Sequence, residues 1–277
     1  MRRLIVNADD LGAGNELDRG IFQAFTQGIV SSASLLANGP SFASAATGAR
    51  ALNLPLGVHL NLSEGRSLCG TIPGLTTSNG LFPGKARLRE YLAGAEFDPS
   101  CLYRELAAQI DRVGDVGMIP DHLDTHQHFS LFPGVSAILL QLAQAYGIPA
   151  LRLPLPAEPP AADPGGELGA ELALYRRLAP AFVQQVRKHG FLTPDGLFGM
   201  PLLNRLDLQS LLATLSTIPD GTWELMVHPG YPEPDGPPFS GVDRQVELAA
   251  LTAPACISVL DSGGMTLISF RELSCVS

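Results

Sequence analysis

Short apolar runs with strand character recur along the chain, at Leu4 to Ala8, Val30 to Ala37, Leu56 to Leu62, Met118 to His126, Ala150 to Leu153, Gly196 to Phe198, Thr222 to His228 and Met265 to Phe270. Between them the apolar spacing changes to three or four residues, as in Leu17, Ile21, Phe22 and Phe25, or Leu139, Leu140, Leu142, Ala143 and Tyr146. That period places apolar side chains on one face of a helix. Alternation of strand and helix predicts parallel βαβ units. The expected fold is therefore α/β, an irregular (β/α) barrel of seven or eight mostly parallel strands. One domain over residues 1–277 is expected, since this length sits near the upper end of what a single core supports. An open doubly wound sheet is the alternative, because the sixth run is short.

Two segments interrupt the rhythm. Residues 63–85 are rich in Gly, Pro, Ser and Thr, and residues 154–169 are rich in Pro and Gly. Both follow strand ends, on the face where barrel enzymes carry their sites, so they are expected to be substrate loops. Their apolar residues Leu75, Leu81, Phe82, Leu153 and Leu155 favour an apolar or lipid-linked substrate.

Composition narrows the function. A net charge of -9 disfavours nucleic acid, whose binding depends on clustered Lys and Arg. The first apolar run is broken by Asn7 and closed by Asp9 and Asp10, which no signal peptide's hydrophobic region would be. No apolar stretch approaches the ~20 residues of a membrane span, so a soluble, cytoplasmic protein is expected. Cys69, Cys101, Cys256 and Cys275 form no CxxC pair and read as reduced, mostly buried thiols.

The chemistry-bearing residues gather at strand ends. The first strand closes in Asn7-Ala8-Asp9-Asp10-Leu11-Gly12. Adjacent strand residues point to opposite faces, so both carboxylates reach one site only if the strand breaks into a turn there. A helix N-cap would explain one Asp but not two. The third strand ends in His59-Leu60-Asn61-Leu62, with His59 and Asn61 sharing a face. In the fourth, alternation aligns His122, Asp124, His126 and His128, a set that apolar packing does not explain. The seventh closes in His228-Pro229-Gly230-Tyr231. His189, before Gly190, reads as a partner of a helix C-terminus. An Asp with two His is a donor set with open positions, typical of a catalytic metal. Zinc suits these ligands, with magnesium or another divalent ion as alternatives. A metal that polarises a carbonyl, a carboxylate base and an opposing acid are the parts of metal-assisted amide hydrolysis.

With Asn7 to Gly12, His59 to Leu62, His122 to His128 and His228-Pro229-Gly230 in this order, the chain resembles the YdjC-type carbohydrate deacetylases. That family includes chito-oligosaccharide deacetylases and a branch associated with hopanoid biosynthesis. The resemblance implies an irregular barrel that removes the acetyl group of an N-acetylated sugar or glycolipid, and it assigns Asp10, His59 and His126 to a divalent metal. Similarity to the more distant polysaccharide deacetylases implies Asp9 as base, Arg152 of Arg152-Leu153-Pro154 as its support, and His228 as acid or oxyanion stabiliser. Asn61, Asp124, His128 and Tyr231 are the expected substrate contacts. A homodimer is compatible with these expectations. Those deacetylases draw both metal histidines from one short motif, whereas here they stand on separate strands, so the other roles transfer less directly than the ligands.

Two other readings compete. An amidohydrolase or phosphoesterase barrel would use a His-x-His pair like His126 and His128, but normally on the first strand, where this chain has Asp-Asp. A non-catalytic, metal-dependent sugar-binding protein would need no base beside the ligands and no acid opposite.

Overall fold

The computed structural model describes residues 1–94, 98–233 and 239–276. Among the described residues eight strands alternate with helices: β1 (Arg2–Leu11), α1 (Asn15–Gln27), β2 (Ser32–Leu35), α2 (Phe42–Ala51), β3 (Leu56–Leu60), α3 (Lys85–Ala93), α4 (Pro99–Asp115), β4 (His122–Thr125), α5 (Pro133–Tyr146), β5 (Ala150–Leu151), α6 (Gly166–His189), β6 (Leu197–Phe198), α7 (Leu208–Thr217), β7 (Gly221–Val227), α8 (Val242–Leu251), α9 (Pro254–Ser262) and β8 (Met265–Leu267). All eight coincide with the apolar runs, although β2 to β6 and β8 are shorter than those runs. The chain leaves β5 within three residues of Pro154, whose ring supplies no ladder donor.

The strand order is β5-β4-β3-β2-β1-β7-β6, with every pairing parallel. One edge of β1 pairs with β7 along Arg2 to Ala8. Its other edge is shared, by β8 beside Arg2 to Leu4 and by β2 from Asn7 onward. The sheet curls until its ends meet through single parallel bridges, Ala150 to Leu192 and Pro156 to Leu197. This is the irregular barrel that the alternating pattern predicts.

The two faces of the sheet differ in chemistry. Leu4, Val6 and Ala8 of β1 join the large core under the outer helices. Ile5 points the other way, into a small apolar plug with Ala150, Ile268, Phe270 and Leu273. Above that plug the interior turns polar, with Asn7, Ser34, His122, Arg152 and Glu224 all buried. These groups bond one another, as buried polar groups must. Asn7 donates to Ser34 Oγ at 2.8 Å, and Ser34 Oγ donates to Asp124 at 2.9 Å.

The expectation for the apolar loop residues needs correction. Leu75, Phe82 and Leu153 are buried in the core, Leu155 packs against it half-buried, and Leu81 is exposed. These side chains pin the two segments to the barrel. The thiols also differ from expectation, since Cys256 is buried but Cys69 is exposed and Cys101 half-buried; the Cys275 side chain lies outside the described residues. His189 is the last residue of α6, its Nδ1 2.8 Å from the Gln185 carbonyl. Among the described residues no helix is long and apolar enough to cross a membrane.

Candidate active site

The break that lets two adjacent carboxylates share one site lies within the pair itself. The β1–β2 register shifts between Ala8 and Leu11, and Asp10 has φ 65°. Asp and Asn tolerate this left-handed region better than most residues. Asp9 continues the inward face of Ile5 and Asn7, and Asp10 is swung round to join it. Gly12, with φ 95°, then turns the chain into α1.

Asp10, His59 and His126 converge so that their ligand atoms all lie within 4.8 Å of one another. His59 Nε2 is 3.4 Å from Asp10 Oδ1, and His126 Nδ1 is 2.9 Å from the same oxygen. Asp10 Oδ1 and His126 Nε2 are nonetheless buried with no well-aligned hydrogen bond. A carboxylate oxygen left in this way between two imidazoles is a donor set suited to a cation. His59 is fixed from behind, where its Nδ1 meets Asp124 Oδ1 at 2.8 Å. That contact leaves Nε2 to face the cluster, the arrangement common to metal-binding histidines. Asp9, His59 and Asp124 form a second close triple. There both carboxylates already face the Arg152 guanidinium, at 2.6 and 2.7 Å, which disfavours a second cation.

Arg152 organises the carboxylates around the cluster. It grips both oxygens of Asp9, at 2.6 and 2.5 Å, and also donates to Glu224 at 2.8 and 2.7 Å. Burial would raise the Asp9 carboxyl, but Arg152 and His59 hold it below the ordinary range. Burial likewise opposes the ionised form of Asp10, yet His126 and His59 hold it well below that range. The same attraction outweighs burial for His59, raised to about 10 by Asp124 and Asp9, and for His126, raised to about 9 by Asp10. Two other imidazoles behave oppositely. Burial lowers His228 to about 4 and His128 to about 3, so both are neutral near pH 7. His228 Nε2 is 4.0 Å from Asp9 Oδ2.

These groups open into a cleft of about 270 Å³. Leu17, Leu203, Met226 and Phe239 are among its apolar lining, and Lys85, Gln127, Glu171 and Tyr175 are among its polar lining. Asp9, Asp10, His59, His126 and His228 all border it. Of the four residues expected at the substrate, His128 does so, stacked edge-on against Tyr175. The other three are engaged elsewhere. Asn61 accepts the backbone N–H groups of Ser63 and Glu64 and donates to Asn38, shaping the turn that carries Glu64. Asp124 lies behind His59. The Tyr231 hydroxyl reaches Gln23 at 2.5 Å, and its ring packs under Arg19 of α1.

The alternation expected through His128 stops earlier. β4 ends at Thr125, and Gln127 and His128 take left-handed conformations, with φ 60° and 54°. His122 does point inward with Asp124, but deeper, against Phe270 and bonded to Asp121 at 2.7 Å. Sequence reasoning missed Glu64, 3.4 Å from His126 Nε2, and the buried Glu224, Arg244 and Glu247. Glu224 carried a signal, since it shares the inward face of β7 with Met226 and His228. Arg244 and Glu247 offered only a three-residue spacing on a helix.

Fold and site together define an α/β barrel that gathers Asp and His side chains at the C-terminal ends of parallel strands. The chain belongs to the family described as YdjC-like protein, whose pattern matches residues 3–262. Its relatives include the carbohydrate deacetylase of Mus musculus, 36% identical over 98% of this chain and 94% of the relative. The carbohydrate deacetylase of Geobacillus stearothermophilus is 34% identical, covering 98% of each chain. A crystal structure from Enterococcus faecalis, provisionally named a cellobiose-phosphate cleavage protein, is 24% identical with a TM-score of 0.76 over 98% of both chains, and it shares the fold.

Proposed function

We propose that this protein is a metal-dependent deacetylase of an N-acetylated sugar. One observation carries the reading: the Asp10–His59–His126 cluster shares a cleft with a carboxylate, Asp9, locked by Arg152, and with a neutral imidazole, His228, across from it. The names of its relatives agree with it.

In this reading Asp10, His59 and His126 hold one divalent ion, with zinc the best match to two nitrogen donors and one carboxylate. Bound there, such an ion would polarise the acetyl carbonyl and lower the pKa of water. Asp9 is the base. Arg152 keeps it ionised and fixes both oxygens, so one lone pair faces the cleft in a set direction. His228 begins neutral and is a hydrogen-bond partner for the acetyl oxygen or the departing nitrogen. It becomes an acid when the proton taken up by Asp9 passes across to it, and it then delivers that proton to the amine. A lining that combines apolar side chains with polar groups suits a pyranose, which has apolar C–H faces and a hydroxyl rim. A lipid-linked sugar loses the observation that favoured it, because the loop residues invoked for it pack into the barrel or face solvent.

The test is acetate release from N-acetylglucosamine, short chito-oligosaccharides and an alkyl N-acetylglucosaminide, by metal-stripped protein and after adding zinc. Zinc-dependent release from at least one of them is expected. No release from any of them, with zinc bound stoichiometrically, would overturn the reading.

A further inference from the structure

One turn of α8 grips the backbone that carries His228. The Glu247 carboxylate accepts the His228 N–H at 2.6 Å, and Arg244 donates through Nη1 to the His228 carbonyl at 3.1 Å. The Arg244 backbone carbonyl accepts the Gly230 N–H at 3.1 Å. The two side chains are themselves paired at 3.2 Å, and both are buried. On the far side Gly230 lies against α1 so closely that a Cβ on Gly20 would sit 2.4 Å from the Gly230 Cα. The segment 228–230 is therefore held from both flanks, and its hydrogen bonds to α8 come from Arg244 and Glu247.

Arg244 reaches further. Its Nη2 donates to Asn204 Oδ1 at 2.6 Å, and its guanidinium lies 4.3 Å from the Phe239 ring centre. Asn204 and Phe239 both line the cleft, and Asn204 has φ 61°. One buried side chain thus ties His228 to two parts of the cleft wall. Packing alone does not explain this pair, because a buried ion pair seldom stabilises more than apolar residues of the same volume.

From this we infer that Arg244 and Glu247 are positioning residues: they set the height of the His228 imidazole over Asp9, and Arg244 couples that height to the cleft wall at Asn204. The inference rests on the deacetylase reading for its kinetic consequence but not for its geometry. Glu247→Gln places an amide N–H against Arg244, so the clamp on residue 228 loosens while the side-chain volume is kept. Arg244→Lys cannot span His228 and Asn204 together.

The experiment makes each variant in the wild-type chain and in His228→Ala, and measures kcat, KM and bound metal. Glu247→Gln is expected to lower kcat on the order of 10²-fold, the scale of a misplaced reacting group, with KM and metal content held. Arg244→Lys should also raise KM, because it frees Asn204. In His228→Ala neither variant should lower kcat further, since both act through the missing imidazole. Losses that multiply in the double variants would overturn the inference, because a general structural role does not depend on His228. If the wild-type protein deacetylates none of the sugars, the deacetylase reading has failed and histidine-ring NMR decides this inference separately. Glu247→Gln should then shift the His228 ring signals and leave those of His122, deep in the barrel, in place. Unshifted His228 signals would refute the clamp. If Glu247→Gln does not fold, Arg244→Lys carries both comparisons.

Discussion

Asp124 Oδ1 stands 2.8 Å from His59 Nδ1, and its other oxygen stands 2.7 Å from Arg152. One buried carboxylate therefore orients the imidazole that faces Asp10 and helps to anchor the guanidinium that holds Asp9. Asp124→Asn keeps the shape, but its amide cannot accept from both neighbours. Metal affinity is expected to fall about 10- to 100-fold, the usual effect of losing a partner behind a ligand. A competition titration with a chromogenic chelator measures it, and unchanged affinity would remove Asp124 from this role.

His59→Ala and His126→Ala each delete one of three donors. Purified variants should retain no stoichiometric metal yet keep their far-ultraviolet circular dichroism, because the core under the helices does not include either imidazole. Elemental analysis of the dialysed proteins decides the point. Full occupancy in both variants would place the ion elsewhere.

Asp9→Asn separates binding from turnover. Asp9 is absent from the Asp10–His59–His126 donor set, so metal content should persist while kcat falls about 10²-fold or more for loss of the base. The variant should also melt at lower temperature, since Arg152 loses one of its three carboxylate partners inside the barrel. Near-normal turnover would move the base role to another group.

The metal-free protein should lose stability as pH rises from 8 to 10. His59 and His126, raised to about 10 and 9, bind protons in the folded state that an unfolded histidine has already released. Their contribution is complete below about 6.5 and disappears as pH passes their folded values. His128 and His228, lowered to about 3 and 4, are neutral in both states above pH 8 and add no slope. Melting temperatures across this range, with and without zinc, test the assignment. Zinc, which binds the deprotonated rings, should flatten the decline. An equally steep decline in His59→Ala would trace it to other groups.

Much of this protein is readable in its sequence. Short apolar runs, with helical spacing between them, determine a parallel α/β sheet, and the polar residues that close the first, third, fourth and seventh runs mark one end of it. Asp9, Asp10, His59, His126 and His228 follow from that pattern, because strand ends that point the same way bring their last residues together. The tertiary structure decided the rest. Alternation states which side of a strand a residue occupies but neither its depth nor its neighbour, so His122 and Asp124 looked alike, yet one stacks on Phe270 and the other orients His59. A backbone reversal at a single residue is equally invisible in a pattern, and such reversals carry Asp10 and His128 to the cleft. The partners of a buried charge depend on which strands and helices become neighbours. That is why Glu224 beneath Arg152, and Arg244 with Glu247 around His228, emerged only once the sheet had curled and α8 had packed against it.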